Sequence, residues 1–489
     1  MGEEKPVVQV DRKARLKIPA QVMPKQDPAE RIHNWRETYL PLDLATAKIE
    51  AERCIQCPAA PCIKACPVHN DIPGAFWKLE QGDIIGAAEV FYETSNLPDM
   101  CGRLCPQESL CEGHCVVGKN AKPVAIGRLE VFINDYARED GAAGYRLPDP
   151  LPAPSGCRAA VVGAGPAGLA VAEELARQGH AVTVFDAWPE PGGILLYGIP
   201  NFKMEKHILD AKLDFLRRLG VQFVGGVTIG REKTVEELFS EGFHAVFLGH
   251  GASAGGRLGI PGEELPGVIL ATEFLVRGNL KPEQLPEEMR RPIPVGHKLV
   301  VLGGGDTAMD CVRTAVRLGF QEVTCVYRRT ESEQKGRAEE RVHAREEGVR
   351  FEYLTAPLRF IPGPNGGLGA VECQRMTLGE PDESGRRRPV PLAGSEFIVE
   401  ADTAVVAIGY HVDREVARSA QGVYEDADGR IIIDRETGET SRAGVFAGGD
   451  CVNGADLVVT ALADGRRAAE GIHGYLCSLA GVESAAPVS

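Results

Sequence analysis

No window of about 20 residues in this chain is free of charge, so no membrane-spanning helix is expected. The start, Met-Gly-Glu-Glu-Lys-Pro, lacks an apolar signal region, and Pro6 removes the hydroxyl residue that myristoylation requires. Basic charge is in short supply too: 54 Lys and Arg against 69 Asp and Glu leave a net charge of −15. That balance argues against nucleic acid or an anionic membrane as partner, since both call for basic patches. A cytoplasmic location is expected. The remainder is ordinary for a globular protein, 44% apolar and 25% charged, and 489 residues suffice for about three domains.

Cysteine is plentiful but unevenly spread: eight of the 14 fall between residues 54 and 115. Without an export signal, such crowding points to metal rather than to disulfides. The first group is Cys54-x2-Cys57-x4-Cys62-x3-Cys66-Pro, and the second is Cys101-x3-Cys105-Pro-x4-Cys111-x3-Cys115. Closely spaced thiolates before Cys-Pro are the pattern of iron–sulfur ligation, where the Cys before Pro can serve the other cluster. Zinc is the rival, because four-cysteine tetrahedral sites also use C-x2-C pairs. Cys157, Cys311, Cys325, Cys373, Cys451 and Cys477 are scattered and read as core residues.

Two glycine fingerprints lie 140 residues apart. Gly163-Ala-Gly165-Pro-Ala-Gly168 follows the apolar run Ala159–Val162, and Asp186 closes the next strand, Ala181–Phe185. Gly303-Gly-Gly305-Asp306-Thr307-Ala308 follows Leu299–Leu302, and its next strand, Val323–Tyr327, ends in Arg328-Arg329. Such glycines let a pyrophosphate approach the backbone at the positive end of the following helix. A carboxylate after the second strand suits a ribose hydroxyl, and an arginine pair suits a 2′-phosphate. The first site therefore reads as FAD-binding and the second as NADPH-binding.

Residues 1–30 read as an extended arm, Leu44–Arg53 and Gly74–Phe91 as short helices with Asp71 capping the latter, and 140–156 as a Gly/Pro linker. Phe243–Gly249 and Asp402–Gly409 are matching buried strands, as expected when one Rossmann-like domain is inserted in another. The expected class is α/β, with two Rossmann-like domains behind a mainly helical metal domain. The partition is 1–150, then 151–294 with 410–489 for FAD, and 295–409 for NADPH. Gly192-Gly193 permits backbone approach to a flavin that Ile194 and Leu195 would wall. In Gly444-Val-Phe-Ala-Gly-Gly449-Asp450, the aspartate faces the flavin's ribityl and phosphate groups or caps a helix, and a helix near Leu457–Leu476 follows. His250 reads as structural, since hydride transfer needs no acid or base. No Cys-x-x-Cys lies in either nucleotide domain, which argues against a dithiol exit for electrons.

Gly303–Arg317, Val326–Arg329, Tyr197–Lys203, Gly444–Asp450, Cys101–Cys115 and Ala468–His473 together resemble the small (β) subunits of bacterial NADPH-dependent glutamate synthases. The same module resembles the N-terminal half of dihydropyrimidine dehydrogenases and the large subunits of flavin-bifurcating ferredoxin:NADP transhydrogenases. The resemblance implies two [4Fe-4S] clusters. Cys54, Cys57, Cys62 and Cys115 would hold one. Cys66, Cys105 and Cys111 would hold the other with a non-cysteine ligand, for which Glu130 is the candidate, leaving Cys101 over. Counting cysteines alone gives two four-cysteine sites instead. Lys203, in the resembling segment Tyr197–Lys203, and Gly409, the glycine that ends the strand Asp402–Gly409, complete the expected cofactor-binding residues. The chain departs from many members at Lys335-Gly336, which puts a phosphate contact from Lys335 or Arg337 in doubt, and its loop Ala252–Leu258 is closer to the transhydrogenases.

The expected function is an electron-input subunit that oxidises NADPH, reduces FAD and passes electrons through two clusters to a partner. That partner would be the large glutamate synthase subunit, which forms glutamate from glutamine and 2-oxoglutarate. No catalytic cysteine follows Met1 and no amidotransferase or FMN barrel fits, so the chain alone is not expected to make glutamate. The alternatives are a subunit of a ferredoxin-linked or bifurcating NADP oxidoreductase, and a non-catalytic zinc-stabilised module.

Overall fold

The computed structural model describes residues 9–381 and 385–480. Its N-terminal part is helical, with Leu44–Glu52, Ile72–Glu80, Ile84–Tyr92, Pro98–Leu104 and Ile126–Glu139. Aspartates start three of these helices: Asp43 accepts from the Thr46 amide, Asp71 from Gly74 and Asp83 from Gly86. The stretch expected from Gly74 to Phe91 is two helices, parted at Gly82, whose φ of +87° is left-handed. Phe76, Leu79, Phe91, Leu129 and Ile133 are fully buried between these helices.

The expected extended arm is corrected in part. Its described residues include single helical turns at Arg12–Arg15 and Pro28–Arg31, each started by an aspartate cap, Asp11 and Asp27. Residues 1–8 lie outside the described part.

Two parallel five-stranded sheets follow. In the first the order is Val445–Ala447, Ala245–Leu248, Arg158–Val162, Ala181–Phe185, Gln222–Val224. In the second it is Val268–Leu270, Thr403–Val406, Lys298–Leu302, Glu322–Val326, Arg350–Glu352. The second sheet is thus completed before the chain returns to the first, which is an insertion. Ala254–Gly255 pairs antiparallel with Tyr410–His411 where the chain passes between the sheets. Thr355–Pro362, Leu368–Pro381 and Arg387–Glu400 form a separate antiparallel sheet.

Both fingerprints sit at the carboxyl ends of their sheets' strands, as the βα-turn chemistry requires. The long helix Val458–Ala480 lies against Pro166–Arg177, and a Cβ at Gly465 would collide with the Ala167 carbonyl, so glycine lets the two backbones touch. Among the described residues no helix is long and apolar enough to cross a membrane.

Candidate functional site

In the first fingerprint the three glycines have separate physical reasons. Gly163 has φ +100°, and a Cβ there would strike the Gly249 carbonyl. A Cβ at Gly168 would strike the Gly163 carbonyl and press on Val161, so its absence lets helix Pro166–Arg177 pack against the strand. Around the Cβ position of Gly165 there is nothing within 4 Å. That open backbone face at a helix start is the cradle a pyrophosphate fits. Asp186 is buried and accepts from the Ala164 amide at 2.7 Å and the Trp188 amide at 2.8 Å. Burial raises its pKa.

The Gly192-Gly193 loop presses on this turn. A Cβ at Gly193, φ +51°, would lie 2.7 Å from the Gly165 Cα. The next residues form a helical turn, Ile194–Tyr197, in which Ile194 is 49% exposed and Leu195 is buried, so of the expected pair only Ile194 offers an open side chain. Lys206, which carries no signal in the sequence, pins this turn: its Nζ donates to the carbonyls of Leu195 (2.8 Å) and Ile199. Burial lowers the Lys206 pKa to about 7. Lys203 is turned to the other nucleotide unit, with Nζ 2.9 Å from Asp310 Oδ1 on helix Asp306–Leu318.

Gly449 has φ +78° and donates to Asp464 Oδ2 at 3.0 Å. Asp450 is the first residue of the turn Asp450–Asn453, whose cap is Gly449, so it caps no helix. Burial raises its pKa to about 6. His250 adjoins Gly163, its buried ring nitrogens find no well-formed hydrogen bond among the described residues although the Asp413 backbone lies near, and burial holds it neutral with a pKa of about 4.

The second fingerprint repeats the scheme. A Cβ at Gly303 would strike the Ala407 carbonyl, whereas nothing lies within 4 Å of one at Gly305 or at Gly409, φ +118°. Asp306 Oδ1 accepts from the Arg337 amide at 2.9 Å, and Thr307 lies beside the Tyr410 hydroxyl. The arginine pair divides. Arg328 is exposed, while Arg329 is 5% exposed and donates from Nε to the Arg387 carbonyl at 2.8 Å. Of the two residues left in doubt, Lys335 is exposed. Arg337 turns away to the helical domain, donating to the Arg103 carbonyl (3.0 Å) and Gln107 Oε1 (2.9 Å).

The thiols form two groups. Cys54, Cys57, Cys62 and Cys115 line one apolar cavity with Ile55, Ile72, Phe76 and Val124. Burial and mutual repulsion raise the Cys54 and Cys62 thiols to about 12. Cys66, Cys101, Cys105 and Cys111 all lie within electrostatic reach of Glu130, which is 6% exposed and whose pKa burial and then the charge of Asp99 raise to about 8. Asn70 Nδ2 donates to Glu130 Oε1 at 3.3 Å. Cys101 is buried beside Cys105 and interacts with its thiol. Among the described residues no three such donors close on the position of a single metal ion; the four-thiol group surrounds a cavity. Soft thiolates around an apolar space fit an iron–sulfur cluster.

Residues 31–142 match the family model of dihydropyrimidine dehydrogenase domain II, 4Fe-4S cluster, and residues 157–465 match that of pyridine nucleotide-disulphide oxidoreductases. The chain is 41% identical over 458 residues to the glutamate synthase [NADPH] small chain of Escherichia coli, covering 93% of this chain and 96% of that one. It is 36% identical over 471 residues to the NADPH-Fe(3+) oxidoreductase subunit beta of Geobacter sulfurreducens, covering 91% and 68%. Its fold is similar to that of Mycobacterium tuberculosis FprA in complex with NADPH, with TM-score 0.55, 20% identity, and 68% and 87% of the two chains covered.

Proposed function

The chain belongs to the family of NADPH-dependent glutamate synthase small chains, an FAD, NADPH and 4Fe-4S oxidoreductase family, and from that premise we propose that it is the electron-input subunit of a larger complex. The 4Fe-4S family match sets aside the zinc-stabilised alternative. When bound, FAD takes a hydride from NADPH, and the clusters carry single electrons onward.

The chain's own residues supply position and surroundings. Gly163, Gly165 and Gly168 would hold the FAD pyrophosphate, with Asp186 toward the ribose. Gly193 and Ile194 would border the flavin, and Gly449 and Asp450 its ribityl chain. Gly303, Gly305, Asp306 and Thr307 would form the NADPH turn, with Gly409 beside it. Arg328, exposed at the strand end, would take the 2′-phosphate. Arg329 supports it from a buried position, and Lys203 acts by joining the two nucleotide units through Asp310. Cys54, Cys57, Cys62 and Cys115 would hold one cluster, and Cys66, Cys105, Cys111 and Glu130 the other. The domain partition above is supported by the two sheets, although Val268–Leu270 pairs into the second and draws that unit back towards residue 268.

One observation carries the direction of flow. Cys66 and Cys105, with Cys101 beside them, pack in the same apolar core as Ala164 and Ala167 of the first fingerprint and Leu169 after it, whereas the four-thiol group packs within the outer helical core, which Cys111 also joins. With Cys66 and Cys105 towards the flavin unit and Cys111 towards the outer core, a cluster held by the Glu130 group would lie between the flavin unit and the four-thiol group, which would then be the exit. The large glutamate synthase subunit is the partner in this reading, supported by a match running along 96% of the Escherichia coli small chain. A cytoplasmic setting goes with it. The test is anaerobic purification: one FAD, iron and acid-labile sulfide for two four-iron clusters, and capture of the large subunit from native extract. Zinc without sulfide, or an intact holoprotein that captures another redox protein instead, contradicts the corresponding part.

A further inference from the structure

We propose that the face around the four-thiol group is a docking surface for an acidic protein surface that carries the electron acceptor; this rests on the exit assigned above. Cys54, Cys57, Cys62 and Cys115 are largely but not fully buried, and Pro58 and Ala59 beside them stand in solvent. Five cations frame this face. Arg12 donates to the Ile55 and Gln56 carbonyls at 3.1 and 3.2 Å, between two of the thiols, and Lys13 follows it. Lys64 lies on Pro61–Ala65, the helix that carries Cys62. Lys119 ends the turn after Cys115, and Lys122, two residues before the cavity residue Val124, borders the neighbouring cleft.

All five are exposed, and no ion pair involves any of them among the described residues. The carboxylates of the same region are engaged elsewhere. Asp11 caps its helical turn, Glu50 pairs with Arg53, and Glu80 pairs with Arg15. Glu52 is the exposed exception. A patch of unpaired cations on a chain of net charge −15 is a local reversal of sign, and it surrounds the exit. Such a patch selects an acidic face and speeds its encounter more than it tightens the complex. Small neighbours such as Pro58 and Ala59 allow close approach.

The probes are an acidic and a basic cytochrome c of similar potential, offered to the NADPH-reduced holoprotein and, separately, to immobilised holoprotein. The acidic cytochrome should bind measurably and be reduced about tenfold faster at low salt, and the preference should vanish as salt screens it. Lys64→Glu and Lys119→Glu should each weaken binding and the preference, with flavin reduction by NADPH unchanged. Equal binding and reduction of both cytochromes, or a preference untouched by both charge reversals, overturns the proposal. So does self-association of the wild type that the same reversals abolish, since a second copy would then fill the face. A flavin that NADPH does not reduce, or a protein without iron, contradicts the electron-input reading instead.

Discussion

Arg328 and Arg329 end the same strand, yet only Arg328 is exposed, while Arg329 is bound to the Arg387 carbonyl. Arg328→Ala should therefore lower the preference for NADPH over NADH by about ten- to hundredfold, as expected for a lost charge-assisted contact. Arg329→Ala should lower thermal stability more than discrimination. Steady-state kcat/KM with both nucleotides checks this, and equal values in the unmutated protein would refute the 2′-phosphate site. Glu130 and Cys101 make a second pair of rivals. Glu130→Ala should lose one cluster, seen as a fall in iron and sulfide by about half, while NADPH still reduces the flavin. Cys101→Ser should keep both clusters. The reverse outcome would favour the simple count of eight cysteines.

Between elements, the segment Arg31–Tyr39 works as a strap. Arg31 Nε and Arg313 Nη2 each lie 2.7 Å from Glu347 Oε1, and Arg317 Nη1 lies 2.8 Å from Oε2, all buried. Thr38 accepts from Arg313 and its amide donates to the Phe202 carbonyl, which ties the strap to both nucleotide units. In Glu347→Gln, Arg31 keeps Glu346 and Arg313 keeps Glu340, but buried Arg317 loses its carboxylate, so Tm should fall. Its neighbours hold the Glu347 pKa at about 2, against 4.5 for a free carboxyl. A folded-state pKa below the unfolded one gives stability that is full above about pH 4.5 and is lost as pH falls towards 2. Melting curves across that window should be steeper for the wild type than for Glu347→Gln. This strap was not legible in the sequence. Pairs such as Arg31 with Glu347 are separated by over 300 residues and leave no local period.

At the scale of the whole molecule, both nucleotide units were legible because fingerprint, strand and charged strand end recur together within short segments. The helical domain was legible through cysteine spacing, aspartate caps and the family resemblance. What stayed hidden is what depends on tertiary contact: Lys203 facing Asp310, Arg337 facing Gln107, and the seam that joins the Glu130 group to the first-fingerprint core. On that seam rests the proposal that the four-thiol group is the exit. The most direct measurement is stopped-flow reduction of the holoprotein by NADPH with a one-electron protein acceptor present, in the wild type and in Cys62→Ser. Cys62→Ser should lose the outer cluster, keep rapid flavin reduction and deliver electrons at least about tenfold more slowly, since the route then lacks its last carrier. Undiminished delivery from a protein that has lost that cluster would contradict it.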